Sequence, residues 1–342
     1  MIRRLRSISL LAVSLLLASS LAFANGQKES QAAQGSSQPV KIGLVVKTLT
    51  NPYFVTMIDS AKKYAKEQGV TLLTGAGAYD GDNAGQISAM ENMASAGVKG
   101  ILFTPSNSTA IVPTVQKLEK QGIVMIALDT ATTPQDATDG FFATDNEQAG
   151  QLIGEYAKAA MAGKKAVIAI LDGTPGSTVS QKRHDGFLKG FGIQEGDPSI
   201  VSEQATNGDQ SKALTAMENS LTKDPNINLV YTINEPAGFG AYSALKKAGK
   251  ASDVMIVSID GSYNGMKAVQ SGEFAADSMQ FPAKMAQMGI DAIIKYAKTG
   301  TKPSGYVNTG VQLITDKPMP GLASKDSTWG LRNAWGAASE KK

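Results

Sequence analysis

Between residues 40 and 144, short apolar runs alternate with longer stretches in which apolar residues return every third or fourth position. The runs Lys41–Val46, Thr71–Thr74, Gly100–Phe103, Val124–Leu128 and Gly140–Ala143 have strand length. Helices are expected to begin near Pro52, Asn83 and Ser108, and the first carries Phe54, Met57, Ile58, Ala61 and Ala65 on one stripe. Strands alternating with helices predict βαβ units, hence a parallel sheet covered by helices on both faces. After Asp145 the theme restarts. Ala166–Leu171 answers Ile42–Val46, Asn228–Thr232 answers Gly100–Thr104, and Val254–Ile259 answers Val124–Leu128. The runs from Met125 to Asp129 and from Met255 to Asp260 are near-twins, each an apolar strand ending in aspartate. A period of roughly 125–130 residues is too long for a solenoid.

The expected fold class is therefore α/β, with two similar doubly wound parallel-sheet lobes. A helix from Pro282 to Thr299 and strands near Val307 and at Val311–Ile314 follow once both lobes are built. The N-terminal lobe is expected to comprise residues 40–144 plus 282–308, and the C-terminal lobe 145–281 plus 309–330. The chain then crosses between lobes near Asp145, Gln280 and Asn308, and several parallel crossings make a hinge rather than a loose tether.

The first 24 residues read differently. Arg3, Arg4 and Arg6 precede an apolar run from Ile8 to Leu17, and Ala22-Phe23-Ala24 offers a small-x-small cleavage site before Asn25. This is the pattern of a secretory signal peptide, too short for a comfortable membrane span. Residues 25–39, rich in Gln, Ser, Ala and Gly, read as a flexible leader. Export is the expected fate of the mature chain. Without the three leader arginines the 33 basic residues become 30, equal to the 30 acidic ones. A balanced charge argues against nucleic acid or an anionic membrane surface as partner. The chain has no cysteine, which removes disulfides, thiol nucleophiles and a cysteine-borne lipid anchor.

The 342-residue chain has few parts for catalysis. His184 is the single histidine, so multi-histidine metal sites are absent, and its polar neighbours predict an exposed surface position. No Walker-type loop occurs, and the glycine spacing from Gly75 to Gly81 does not fit a dinucleotide fingerprint. That loop reads as a strand-to-helix turn with Asp82 or Asn83 as N-cap. No cofactor is expected. An exported sugar-processing enzyme would use Asp129 and Asp260 as acid and base, although nothing in the sequence sets their separation.

What the chain does hold is a set of polar residues at the carboxyl ends of strands, where open α/β sheets bind ligands. Asp129 and Asp260 end two strands, Asn234 follows a third, Gln280 precedes Phe281-Pro282, and Arg183 lies early in the helix after the turn from Gly173 to Gly176. Each is a planar fork able to grip two neighbouring hydroxyls. For any one of them, a helix cap or an interlobe salt bridge is an equal reading. The stretch from Lys47 to Phe54 adds Asn51 as an N-cap, Pro52 in the first helical turn, and the aromatic pair Tyr53-Phe54. The pair reads equally as a flat wall for a sugar ring or as the start of the buried helix face.

From Val40 to Thr315 the chain resembles periplasmic sugar-binding proteins of the ribose-binding type, the receptors of ABC importers. The resemblance rests on Thr-Asn-Pro-Tyr-Phe at 50–54, Ala-Leu-Asp at 127–129, Ala-Thr-Asp-Asn at 143–146, Arg183 before Asp185-Gly186-Phe187, Asn234-Glu235 and Ile259-Asp260-Gly261. Lys47-Thr48, Ala127–Thr130 and Tyr231–Pro236 resemble the fructose-binding branch. The resemblance implies a type I periplasmic binding protein fold, a monomer, a monosaccharide in the interlobe cleft and a membrane permease as partner. A chemotaxis or quorum-signal receptor on the same scaffold would differ mainly in partner. It also implies that Asn51, Asp129, Arg183, Asn234, Asp260 and Gln280 bond sugar hydroxyls while Tyr53 and Phe54 stack on the ring. Two departures stand out. Ribose binders carry arginine where this chain has Thr130, and an aromatic where it has Gly208, which leaves room for another sugar such as a ketohexose.

Overall fold

A computed structural model describes residues 39–336; the stretches expected to be a signal peptide (1–24) and nearly all of the expected leader (25–39) lie outside the described residues. The first lobe contains β1 (Lys41–Val46), α1 (Pro52–Glu67), β2 (Thr71–Ala76), α2 (Asn83–Ser95), β3 (Gly100–Phe103), α3 (Val112–Lys120), β4 (Val124–Leu128) and β5 (Gly140–Ala143). The second contains α4 (Asn146–Ala160), β6 (Ile168–Asp172), α5 (Thr178–Phe191), β7 (Ile200–Ala205), α6 (Gln210–Lys223), β8 (Leu229–Thr232), α7 (Glu235–Lys247), β9 (Met255–Asp260), α8 (Tyr263–Ser271) and β10 (Ala276–Met279). Then come α9 (Pro282–Thr299), β11 (Tyr306–Asn308), β12 (Gln312–Ile314) and α10 (Ser327–Asn333).

The two six-stranded sheets run β11-β5-β4-β3-β1-β2 and β12-β10-β9-β8-β6-β7, the same order twice. Pairing is parallel throughout except between β10 and β12. The central strands are buried on both faces, as parallel strands sandwiched between helices must be, whereas the edge strands β2, β7 and β11 are partly or fully exposed. In β1, Ile42 and Leu44 face Met57 and Ile290, whereas Val45 faces the layer of Met90 and Val115. Residues 144–145, 280–281 and 309–311 carry the chain between the two sheets. Among the described residues no helix is long and apolar enough to cross a membrane.

Several elements depart from what the sequence pattern predicts. β7 and β10 carry too many polar residues to register as apolar runs: β7 is a half-exposed edge strand, and β10 buries Asp277 and Ser278. β2 runs on through Gly75 and Ala76, paired to Val45 and Val46. The third helix starts at Val112 instead of near Ser108. Residues 107–111 form a turn held by Asn107 Oδ1, which accepts from the Thr109 and Ala110 amides. The α2 cap is Asp82, whose carboxylate accepts from the Gly85 amide at 2.9 Å.

Helix α5, which carries Arg183, lies backbone to backbone against α4. Gly150 and Gly154 on α4 meet Gly186 and Gly190 on α5, and a Cβ at any of them would strike a carbonyl oxygen of the opposite helix. Gly186→Ala is expected to destabilise the protein by about 1–3 kcal/mol, because backbone cannot yield as a side chain can. Urea unfolding measures the loss, and an unchanged midpoint would mean that the helices tolerate separation.

Candidate functional site

The eight residues singled out from the sequence, Asn51, Tyr53, Phe54, Asp129, Arg183, Asn234, Asp260 and Gln280, all line one cavity between the lobes. It measures about 40 Å³, room for a few waters. The reason for the convergence is topological. Both sheets point their carboxyl ends at the gap, so β4, β9 and β10 deliver Asp129, Asp260 and Gln280 directly. The helix starts deliver the rest. Asn51 Oδ1 caps α1 by accepting from the Tyr53 amide at 2.9 Å. Asn234 Oδ1 caps α7 through the Ala237 amide at 3.0 Å, and its amide nitrogen donates to Gly208 O at 3.2 Å. Capping and cavity lining therefore coexist in these two side chains, since an amide keeps a further N–H after its cap is made.

Arg183 is a buried cation of the site, 3% exposed. Its Nε donates to Asn146 Oδ1 at 2.8 Å and its Nη1 donates to Ile233 O at 2.9 Å, with Asp260 Oδ1 3.5 Å away. The guanidinium is thus fixed by the start of α4 and the end of β8 before any ligand arrives. Asp260 also accepts from Gln280 Nε2 at 2.7 Å. The oxygen of that amide, Gln280 Oε1, is buried without a partner among the described residues. Asp129 sits at φ 62°, a left-handed conformation unusual for a side-chain-bearing residue, and Thr130 Oγ1 donates to its carboxylate at 2.7 Å.

Tyr53 and Phe54 belong to the core of the first lobe as well as to the cavity wall. Their rings meet edge to face at 5.2 Å, and Tyr53 meets Trp335 the same way at 5.5 Å. Trp335 went unremarked in the sequence because its role is positional. Its indole Nε1 donates to Asp260 O at 2.8 Å, so one ring touches both lobes. Sequence reasoning also passed over Lys47, Asp80 and Asn207 as cavity residues. Lys47 is only 4% exposed and reaches across to Ser177 Oγ at 3.2 Å. A lysine buried at the end of β1 was the available signal.

The expectation of an exposed His184 is wrong. It is 6% exposed, on the inner side of α5, with Nδ1 3.0 Å from an Asp172 carboxylate oxygen and Nε2 2.9 Å from Glu195 Oε2. Polar neighbours in sequence did not mean solvent, because the partners come from the end of β6 and from the loop before β7.

The description "periplasmic binding protein domain" fits residues 42–302 of this chain as a family. The chain belongs to that family. Among its relatives, the ribose import binding protein RbsB of Salmonella typhimurium is 32% identical over 275 residues, covering 80% of this chain and 90% of that protein. The galactofuranose-binding protein YtfQ of Escherichia coli is 31% identical over 254 residues, covering 71% and 77%. A solved structure of an ABC transporter periplasmic solute-binding protein from Actinobacillus succinogenes with bound D-allose matches with a TM-score of 0.73 at 30% identity, covering 81% and 98%. The fold is that of the type I periplasmic binding proteins, and these relatives are transport binding proteins, not enzymes.

In this periplasmic binding protein, three carboxyl groups crowd behind the second-lobe wall. Burial, opposed by Arg183 and Gln280, pushes Asp260 up to about 6. Burial and then the charge of Asp260 push Asp277 up to about 7. Burial, Asp277 and Asp260 together hold the Glu235 proton well above the usual carboxylate range. Glu235 Oε1 accepts from the Gly261 and Ser262 amides at 2.9 and 2.8 Å, which fixes the turn after Asp260. Between the ordinary aspartate value of 3.8 and about 7 the folded protein holds more protons than the unfolded chain. Stability from this cluster is therefore full at low pH and falls as pH rises through that window. Asp277→Asn keeps an acceptor for the Asp260 amide and removes one charge. At pH 8 it is expected to raise unfolding free energy by on the order of 1–3 kcal/mol, with little change at pH 5. Urea titrations at the two pH values decide it; a loss of stability at pH 8 counts against the charge argument.

Proposed function

We propose that this chain is an exported receptor that closes its lobes over one monosaccharide in the interlobe cavity and delivers it to an ABC transporter permease. The observation that carries the reading is the convergence from both lobes of forked polar side chains and two aromatic rings on one cavity, with Gln280 Oε1 left unpartnered. Buried polar atoms require partners, and a sugar hydroxyl donates where Gln280 accepts. Asn51, Asp129, Arg183, Asn234, Asp260 and Gln280 grip hydroxyls in this reading, and Tyr53 and Phe54 offer ring faces. In this reading the lobes part about the three passages at 144–145, 280–281 and 309–311 to admit the sugar. Contacts to both lobes then favour the shut form, which the permease reads.

Within that class we propose a ketohexose such as fructose. Thr130 spends its hydroxyl on Asp129 and offers no guanidinium to the ligand. Gly208 has φ 63°, and a Cβ there would sit 2.6 Å from Asn234 Nδ2, so an aromatic wall does not fit this backbone. A panel of fructose, ribose, allose, galactose and arabinose in a thermal-shift assay tests the reading. A true ligand at a hundredfold excess over its dissociation constant adds about 2.7 kcal/mol to stability. A hit with ribose or allose alone removes the ketohexose; no hit, or turnover of the sugar, removes the receptor reading.

A further inference from the structure

One turn of the second lobe is gripped directly by the first. Residues 176–178, which lead into α5, bond to the loops that follow β1, β3 and β4. Gly176 O accepts from the Ser108 amide at 3.0 Å. The Thr178 amide donates to Ser108 Oγ at 3.1 Å, that hydroxyl donates to Thr178 Oγ1 at 3.3 Å, and the Thr178 hydroxyl donates to Ala131 O at 3.1 Å. The hydroxyls of Ser108 and Thr178 thus each donate once and accept once. Lys47 Nζ donates to Ser177 Oγ at 3.2 Å.

Both sides are shaped for this contact. Serine is a favoured N-cap, yet Ser177 makes no side-chain cap bond to α5, and its hydroxyl meets Lys47 of the other lobe. Gly176 lies at φ 81°, and a Cβ there would come within 2.8 Å of Asn107 Nδ2. Asn107 cannot swing away without giving up the Thr109 and Ala110 amides. Ser108 O accepts from the Thr133 amide at 2.8 Å, which ties the loop after β3 to the loop that carries Ala131. Ser108 and Ser177 are 2% and 3% exposed, so these bonds are shielded from water. Elsewhere along the cleft the lobes stand apart across a groove of about 1270 Å³, bordered by Lys63 and Tyr79 of the first lobe and Ser211 and Tyr263 of the second.

We propose that residues 176–178 are a clasp: their bonds to Lys47, Ser108 and Ala131 shut the lobes, so the sugar-free chain already populates a closed form. Each of these bonds joins protein to protein and needs no ligand. Opening returns the same groups to water, so each bond contributes little net and the clasp stays reversible. The clasp begins the helix that carries Arg183, so one rigid element brings both to the first lobe. Observed affinity is the affinity of the closed form scaled by the fraction closed. Ser108 and Thr178 are therefore positioning residues for the sugar, since neither lines its cavity. Their effect on affinity rests on the receptor reading; closure of the sugar-free chain does not.

The chain has no cysteine, so Lys63→Cys and Ser211→Cys, both at exposed positions, place two spin labels across the groove without competing thiols. Pulsed electron resonance on the sugar-free protein is expected to show a short-distance population. Thr178→Val and Ser108→Ala should each reduce its fraction, and Thr178→Ser, which keeps the hydroxyl, should retain it. Calorimetry with the sugar found in the panel should show affinity lower by about three- to thirtyfold in Thr178→Val and Ser108→Ala. Thr178→Ser should bind as the parent does. Circular dichroism shows whether each variant folds, and either of the two carries the test if the other does not. A single long distance in the sugar-free parent overturns the clasp. Equal distance distributions in the parent and the folded variants do the same, as does parental affinity in those variants. If no sugar in the panel binds, the receptor reading falls, and the label distances still decide the clasp.

Discussion

Replacing Asp260 by alanine is expected to abolish monosaccharide binding while the protein stays folded. The carboxylate lies between Arg183 and Gln280 at the cavity wall, so removing it takes away a charged acceptor and frees both neighbours from their present orientation. Deleting one member of a buried, hydrogen-bonded charged set costs about 2–5 kcal/mol of binding, a loss of roughly thirtyfold to several-thousandfold in affinity. The fold has reason to survive. Arg183 keeps its bonds to Asn146 Oδ1 and Ile233 O, and the charge of Asp260, which adds to burial in pushing Asp277 up to about 7, is removed. Calorimetry with the sugar found in the panel, beside urea unfolding at pH 7.5, measures the two quantities apart. Unchanged affinity would remove Asp260 from the site; joint loss of affinity and fold would make it a structural carboxylate.

Arg183→Ala should do both kinds of damage. The guanidinium is the cation nearest Asp260, and it satisfies an amide oxygen at the start of α4 and a backbone carbonyl at the end of β8. Without it a buried carboxylate loses its counter-charge and two acceptors lose their donor, which costs about 3–5 kcal/mol. Arg183→Lys is expected to recover only part of this, because an ammonium is a point charge on a flexible stem and cannot hold the planar fork between Asn146 and Ile233. Denaturant titration and sugar affinity of the two variants provide the check. Stability within about 1 kcal/mol of the parent for Arg183→Ala would mean that Asp260 is neutral in the folded protein and needs no partner.

How much of this was legible beforehand depends on which physical force places each residue. The twin runs ending in Asp129 and Asp260 are apolar, period-marked and followed by helix caps, so local chemistry alone puts them at strand ends. Arg183 is legible for a related reason, since a glycine-rich turn followed by a helical stripe locates it in the first turns of α5. The polar strands β7 and β10 were not legible: an edge position frees one of apolar character, and the other buries Asp277 where Asp260 N and a neutralised Glu235 make burial tolerable. His184 was misjudged because burial of a polar side chain is decided by partners distant along the chain, here Asp172 and Glu195.

By itself, then, the chain's pattern determined two copies of one α/β lobe and the side-chain types that gather at their strand ends, because strand period, helix period and caps are written within a few residues. Only the tertiary structure decided that these ends face one another across a cavity of about 40 Å³, that Trp335 reaches both lobes, and that Glu235 and Asp277 crowd behind Asp260. Those outcomes join residues 17 to 75 positions apart in the chain, whose proximity depends on how strands and sheets pack and not on any local preference.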